Sequence, residues 1–192
     1  MLDPDKRVLY IKTKKNNVPL LLRASEEPCN IGKLEKKIVY DYCYIGWRYC
    51  PNLVPYENKK FKGIYYGVND FDKFLTYEER KKIYLSTIFA FGFQSNDNIT
   101  NKHVSQRIFE SLTYGCIVLT NSIPACDQTN NIAVYVKSKE DIEDKMDFFM
   151  KNPSIMKQKQ QDGYEFAKKY GTNRYAISFF TNHIKDNFDI VI

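Results

Sequence analysis

The sequence predicts an α/β fold: a mainly parallel sheet that is flanked by helices. Runs of apolar, β-branched or aromatic residues of strand length recur from the first residues to about position 136, and helical patterns alternate with the later runs. That alternation is typical of parallel sheets covered by helices. With 192 residues, 43% of them hydrophobic, the chain suits one globular domain, so we expect residues 1–192 to form a single α/β domain.

The predicted strands are bounded by turn-rich segments and are rich in Ile, Val, Tyr and Phe. They cover residues 7–11, 37–45, 63–68, 87–93, 116–120 and 133–136. Segments 94–101 and 121–131 carry turn residues and are predicted to be loops within the domain.

The predicted helices cover residues 76–85, 103–114, 139–150, 153–170 and 173–186. Thr76 with Glu79 has the spacing of a capping box, and Pro153 suits a first helical turn. The last of these helices places segment 171–192 as a C-terminal helix that packs on the domain.

The composition argues against several classes of protein. The 29 basic and 23 acidic residues give a net charge of +6, but acids are interleaved with the bases, which favours a solvated surface over a nucleic-acid interface. No apolar run is long enough to span a membrane, and the amino terminus lacks a secretory signal, so we expect a cytoplasmic protein. The five cysteines form no C-x-x-C pair and are expected to be free thiols, and a structural metal is not expected.

Parallel sheets bind ligands at the carboxyl ends of their strands, so the helix predicted after strand 87–93 is the main candidate for a site. Placed at about 100° per residue, Val104, Ile108 and Leu112 form one apolar stripe. Four other side chains fall in an arc away from that stripe and are expected to face a cleft: His103, Arg107, Glu110 and Tyr114.

The start of this helix suits an anion. Thr100 or Asn101 would cap it, and the helix dipole together with His103 and Arg107 would attract a phosphate. Glu110 lies about 10 Å further along the axis and offers two acceptor oxygens to the vicinal hydroxyls of a ribose. The alternative interpretation is an exposed ion pair between Arg107 and Glu110.

The segment RIFESLTYGCIVLTN (107–121), supported by ERKKIYLSTIFAFGF (79–93), resembles the nucleotide-sugar-binding half of GT-B glycosyltransferases. The closer likeness is to the spore-maturation-type subgroup of the group 1 glycosyl transferases, in which an Arg-x-Phe-Glu helix precedes a Gly and an apolar strand. The likeness runs from about residue 73 to residue 180. It implies a Rossmann-like sheet equivalent to a single GT-B half.

The resemblance implies a hexosyltransferase-like enzyme that uses a nucleoside-diphosphate sugar, UDP being favoured over GDP, without a metal. The acceptor would be a glycan or glycoconjugate. Arg107 and His103 would act in catalysis by orienting the donor and stabilising the departing diphosphate. The donor-binding residues would be Glu110 at the ribose, Arg107, His103 and Ser105 at the diphosphate, Gly46 and Arg48 in a glycine-containing loop, and Tyr66 near the base. A plain turn at Gly46 and a core position for Tyr66 are the alternatives.

Two departures from the family pattern bear on these expectations. Lys102 stands where many GT-B enzymes carry a second glutamate, so a sugar-positioning acid is not carried over. The chain also has room for only one Rossmann-like domain, so either a second copy or a partner domain completes the cleft, or the single domain works alone, or the sequence is a fragment of a longer protein.

Two rival hypotheses stay open. Asp70 and Asp72 form a D-x-D pair of the kind that holds manganese in metal-dependent GT-A transferases. The second rival is a catalytically silent domain that binds a nucleotide sugar or serves as a scaffold.

Overall fold

The computed structural model contains two separate sheets and six helices within the residues that it describes. Those residues are 2–3, 8–12, 17–20, 36–46, 60–66, 75–171, 178 and 181–182. The larger sheet and the helices around it fall between residues 36 and 171, which is where every candidate site residue described below is found.

The larger sheet has five strands, and every neighbouring pair is parallel. In chain order the strands are β4 (Tyr40–Ile45), β5 (Gly63–Tyr66), β6 (Thr87–Phe91), β7 (Ile117–Thr120) and β8 (Val134–Tyr135). Their spatial order is β5-β4-β6-β7-β8. Together with the flanking helices this confirms the α/β, Rossmann-like fold predicted from the sequence.

Between residues 75 and 171, six helices accompany this sheet. They are α1 (Tyr77–Leu85), α2 (Asn96–Thr100), α3 (Gln106–Thr113), α4 (Ile123–Gln128), α5 (Lys139–Lys151) and α6 (Pro153–Tyr170). Thr76 and Glu79 form both bonds of the predicted capping box, and Pro153 occupies the first turn of α6, so both signals are confirmed.

The predicted strand at residues 7–11 is present, but in a different sheet. It is β2 (Val8–Lys12), and it pairs antiparallel with β1 (Leu2–Asp3) on one side and β3 (Asn17–Leu20) on the other. Only four residues separate each neighbouring pair of strands, which is too few for the crossover that a parallel pair requires. Short connections therefore give this part of the chain its own three-stranded antiparallel sheet.

Helices α2 and α4 lie in the segments 94–101 and 121–131, so the prediction that these segments are loops is wrong. Each helix begins with a serine that accepts a bond from a backbone N–H three residues later: Ser95 from Asn98, and Ser122 from Ala125. Both helices have fewer than two turns, which is too short to give a periodic apolar pattern.

Side chains alternate between the two faces of the larger sheet and build a core on each side. One face is an aromatic layer under α5, in which the Tyr42 and Phe91 rings stack 4.7 Å apart and the Phe91 and Phe93 rings 4.8 Å apart. The other face carries smaller residues such as Ala90 and Val118, against which α1, α3 and α6 pack. The sheet is therefore buried on both faces, as parallel sheets usually are.

Gly92 allows α3 to lie close to the sheet. A Cβ at Gly92 would stand 2.8 Å from Cγ1 of Ile108 and 3.0 Å from Cγ1 of Val118. The predicted stripe of Val104, Ile108 and Leu112 is buried in this contact, as expected.

The three cysteines within the described residues, Cys43, Cys116 and Cys126, are buried free thiols, as predicted. Burial raises the pKa of all three. No helix in the described ranges is long and apolar enough to cross a membrane. Most of the predicted helix 173–186 lies outside the described residues, and the packing of segment 171–192 stays a prediction.

We expect Thr76→Ala to lower the free energy of unfolding by about 1 kcal/mol, because the Glu79 N–H loses the Thr76 hydroxyl as its acceptor, whereas the bond from the Thr76 backbone N–H to Glu79 Oε2 does not use that hydroxyl. Thr76→Ser keeps the hydroxyl and is the matched control. Urea denaturation of the three proteins measures the difference, and equal losses in both variants would contradict a capping role.

Candidate functional site

The order of the strands predicts a ligand-binding crevice at the carboxyl ends of β4 and β6. From β4 the chain continues to β5 on one side, whereas from β6 it continues to β7 and β8 on the other. Such a reversal leaves the carboxyl ends of two adjacent parallel strands uncovered by their own connections, and ligands of open α/β sheets bind there. Gly46 follows β4 at this point, and the segment after β6 leads into α2 and α3.

Helix α3 begins at Gln106, so the prediction of a single helix from His103 is wrong. Helix α2 ends before α3 begins, and Lys102 after it adopts the left-handed conformation (φ 54°). The Lys102 N–H donates to Ile99 O, and the His103 N–H donates to Asn98 O. Ser105, not Thr100 or Asn101, is the N-cap residue of α3. His103 therefore lies in the turn between two helices, and its predicted spacing from Glu110 along one axis does not hold.

Arg107 extends from the first turn of α3 across the end of β4. Its Nη1 donates to the Ile45 carbonyl at 3.0 Å, and its Nε donates to Ser105 Oγ at 3.0 Å. The guanidinium carbon lies 5.3 Å from the centre of the Tyr44 ring, within the range of a cation–π contact. Three neighbours thus fix a positive charge at the crevice.

Gly46 makes room for this arginine. A Cβ at Gly46 would stand 2.0 Å from Arg107 Nη1 and 2.7 Å from the Tyr44 hydroxyl. The Gly46 N–H also donates to Tyr66 O at 3.1 Å, which ties the ends of β4 and β5 together. The structure therefore brings together Gly46, Tyr66, Ser105 and Arg107, which the sequence analysis had named from separate segments.

Glu110 is buried and pairs with Arg80 of α1, not with Arg107. Arg80 Nε donates to Glu110 Oε1 at 2.8 Å, and the side chains are 30% and 9% exposed. The alternative of an exposed Arg107–Glu110 ion pair is therefore wrong. No sequence signal pointed to Arg80, because it stands in a run of basic residues that resembles a solvated surface.

The sequence analysis predicts that the whole polar arc of α3 faces a cleft. In the structure one end of that arc is buried. Tyr114 is 2% exposed and stacks on Tyr84 with ring centres 5.8 Å apart, and its hydroxyl bonds to that of Tyr77. Burial raises the pKa of Tyr84 well above its usual value, and the nearby charge of Glu110 raises it further. Helix α1 covers this end of α3, so the accessible part of the arc is the end near Arg107.

His103 is half-buried next to the start of α3. Burial lowers the pKa of its imidazole, which favours the neutral ring over the charged one. Its Nδ1 is buried and has no hydrogen-bond partner among the described residues.

The loops after β6 and β7 are fixed to each other at the same edge of the sheet. Asn121 Oδ1 accepts from the Gln94 N–H at 2.8 Å, and Asn121 Nδ2 donates to Gln94 O at 2.9 Å. This reciprocal pair joins the segments that follow β6 and β7, and neither residue was proposed as a site residue from the sequence.

The remaining candidates lie partly or wholly outside this arrangement. Tyr66 ends β5 and packs, half-buried, against the cluster that includes Tyr84, as the core interpretation expected. Arg48, Asp70 and Asp72 are outside the described residues. Within the ranges that are described, no group of three or more His, Cys, Asp or Glu side chains could hold a metal ion.

The fold is a Rossmann-like α/β domain in which one helix carries a fixed arginine and a buried acid. Residues 43–181 match the protein family described as glycosyl transferase-like, a match that spans well over half of the chain. The chain therefore belongs to the glycosyl transferase-like family. A search of curated proteins finds no match.

We expect Gly46→Ala to displace Arg107 and to lower the free energy of unfolding by about 1–3 kcal/mol, since the bond to Ile45 O and the contact with Tyr44 are lost. In an Arg107→Ala background the same substitution should cost less, because the closest obstacle is gone. Chemical denaturation of the four proteins measures this coupling. Additive losses would show that Gly46 does not act through Arg107.

Proposed function

We propose that this chain is a glycosyltransferase that moves a hexose from a nucleoside-diphosphate sugar to a glycan or glycoconjugate acceptor without a metal. One observation carries the proposal: Arg107 and Glu110, which differ in charge and each have a separate fixed partner, stand one turn apart on α3 beside the crevice. A nucleoside diphosphate needs that combination, a cation for its phosphates and an acceptor for its ribose hydroxyls. Membership of the family supports the same interpretation.

We assign the diphosphate to the start of α3. The helix dipole and the backbone N–H groups after Ser105 favour an anion there. Arg107 uses Nε and Nη1 for its contacts within the protein, and we assign Nη2 to a phosphate oxygen. The neutral imidazole of His103 would supply one further hydrogen bond.

We assign the ribose to Glu110 and the base to the neighbourhood of Tyr66. Because Arg80 bonds Oε1 of Glu110, the oxygen proposed for the ribose hydroxyls is Oε2. Gly46 would contribute to donor binding through Arg107, because the place that a Cβ would take at Gly46 is occupied by the guanidinium assigned to the diphosphate. A role for Arg48 in the same loop is part of the proposal.

Catalysis in this scheme comes mainly from position and charge. The site would hold the donor in one orientation and stabilise the negative charge that grows on the leaving diphosphate as the glycosidic bond breaks. Arg107 suits this task because its guanidinium is already fixed and requires little reorganisation. The acceptor would enter from the open side of the crevice, which a second copy or a partner domain would complete in the cytoplasm.

A thermal-shift panel of UDP, GDP, ADP and CDP, with and without manganese, tests the donor site. We expect UDP to raise the melting temperature without metal, since a ligand at 100 times its Kd stabilises the folded state by about 2.7 kcal/mol. A shift that requires manganese would transfer the assignment to Asp70 and Asp72. No shift with any nucleotide would contradict the proposal, and binding without sugar transfer would indicate a silent domain.

We expect Glu110→Gln to weaken UDP binding by about tenfold or more, because a hydrogen bond to a charged acceptor is worth about 1.5–3 kcal/mol. Gln is preferred to Ala because Glu110 is the buried partner of Arg80, and truncation would leave that arginine unpaired. Titration calorimetry with UDP and with 2′,3′-dideoxy-UDP measures the effect. A loss of affinity for both ligands alike would argue against contact with the ribose.

A further inference from the structure

We infer that Arg80 is a positioning residue that makes the site selective for a ligand with vicinal hydroxyls, by holding Glu110 through one oxygen only. This inference rests on the proposed function, in which Glu110 receives the ribose. It concerns a residue of α1 that the family resemblance does not assign and that lies in a run of ordinary surface-like bases.

The contact between the two side chains is made in a protected place. Arg80 Nε lies 2.8 Å from Glu110 Oε1, and the glutamate side chain is only 9% exposed. A carboxylate at that depth needs a charged or hydrogen-bonding partner, whereas two apolar side chains would fill the same space at no greater cost in stability. Stability alone therefore does not require an ion pair here.

Arg80 has a second attachment, and this determines how it meets Glu110. Its Nη1 donates to the Leu75 carbonyl at 2.9 Å. The guanidinium group is thus shared between a backbone oxygen and a carboxylate, instead of gripping both carboxylate oxygens as a bidentate fork would. Only Oε1 takes part in the contact with Arg80 Nε.

The elements that carry the two residues are themselves held together. Thr76 and Glu79 close the amino end of α1 directly beside Leu75, and the Tyr77 hydroxyl bonds to that of Tyr114 at the end of α3. The carboxylate plane of Glu110 is consequently set from α1. Because the carboxylate plane of Glu110 is fixed and its Oε1 is bonded to Arg80, Oε2 is an acceptor with a set direction. A ligand that places hydroxyl donors in that direction would bind more tightly than one that lacks them.

The experiment measures ribose selectivity, defined as the ratio of the affinities for UDP and 2′,3′-dideoxy-UDP, by titration calorimetry. We expect Arg80→Gln to lower this ratio at least threefold while the affinity for dideoxy-UDP changes less than twofold. Arg80→Lys, which keeps the charge but not the two-point attachment, should lower the ratio to an intermediate value. Lys82→Gln removes an exposed charge from the same helix and should leave the ratio unchanged.

If Arg80 had a merely structural role, its substitution would lower the affinities for UDP and 2′,3′-dideoxy-UDP alike. That result, or an unchanged affinity ratio, overturns the inference. Should Arg80→Gln fold poorly, Arg80→Lys and the double variant Arg80→Gln/Glu110→Gln, which buries no unpaired charge, keep the test decisive. The double variant is expected to match Glu110→Gln alone.

The test also separates this inference from the proposed function. If the parent protein does not bind UDP, or if Glu110→Gln leaves the ratio as it is, the ribose assignment fails and the inference fails with it. If Glu110→Gln abolishes selectivity and the Arg80 variants retain it, only the role of Arg80 is refuted.

Discussion

The reversal of strand order between β4 and β6 is the constraint on which the rest of the structure depends. Two parallel strands that pair directly but send their connections in opposite directions leave their carboxyl ends open. The chain then has to cover the polar groups at that edge with side chains from elsewhere. Arg107 bonds to the carbonyl of Ile45, and Asn121 bonds to the backbone of Gln94. The crevice and its polar lining are therefore two consequences of one topology.

The two charged side chains of α3, Arg107 and Glu110, each have their own partner elsewhere in the fold and do not pair with each other. Arg107 and Glu110 are three residues apart on a helix, a spacing that commonly gives an exposed ion pair. Arg107 instead turns toward the end of β4 and Tyr44, and Glu110 turns toward Arg80 of α1. Since Arg107 and Glu110 do not pair with each other, the arrangement is compatible with the donor proposed above, which carries an anion at one end and hydroxyl donors further along. This separation connects the fold of the domain with the glycosyl transfer proposed for it.

The start of α3 shows why local signals were only partly sufficient. The apolar spacing of Val104, Ile108 and Leu112 correctly identified a buried stripe, yet it extended the helix back to His103. The turn at Lys102 interrupts it, because a non-glycine residue adopts the left-handed conformation that closes α2. A lysine is not a sequence signal for such a turn, because glycine and asparagine are the residues that usually adopt this conformation. The consequence for the site is that His103 lies in the turn before α3 and not in the first turn of that helix.

The sequence by itself determined the alternation of strands and helices, the capping box of α1, the start of α6 at Pro153 and the buried stripe of α3. Each of these features depends on residues that are close together in the chain. It also pointed to Gly46, Arg107 and Glu110 and, through the resemblance, to the family. Only the tertiary structure decided that the amino-terminal strands form a separate sheet, that Arg80 forms an ion pair with Glu110, and that Arg107 occupies the place of the missing Gly46 side chain. These contacts join residues that are distant in sequence. No local pattern encodes them, since they arise from how elements pack and which buried charges then need partners.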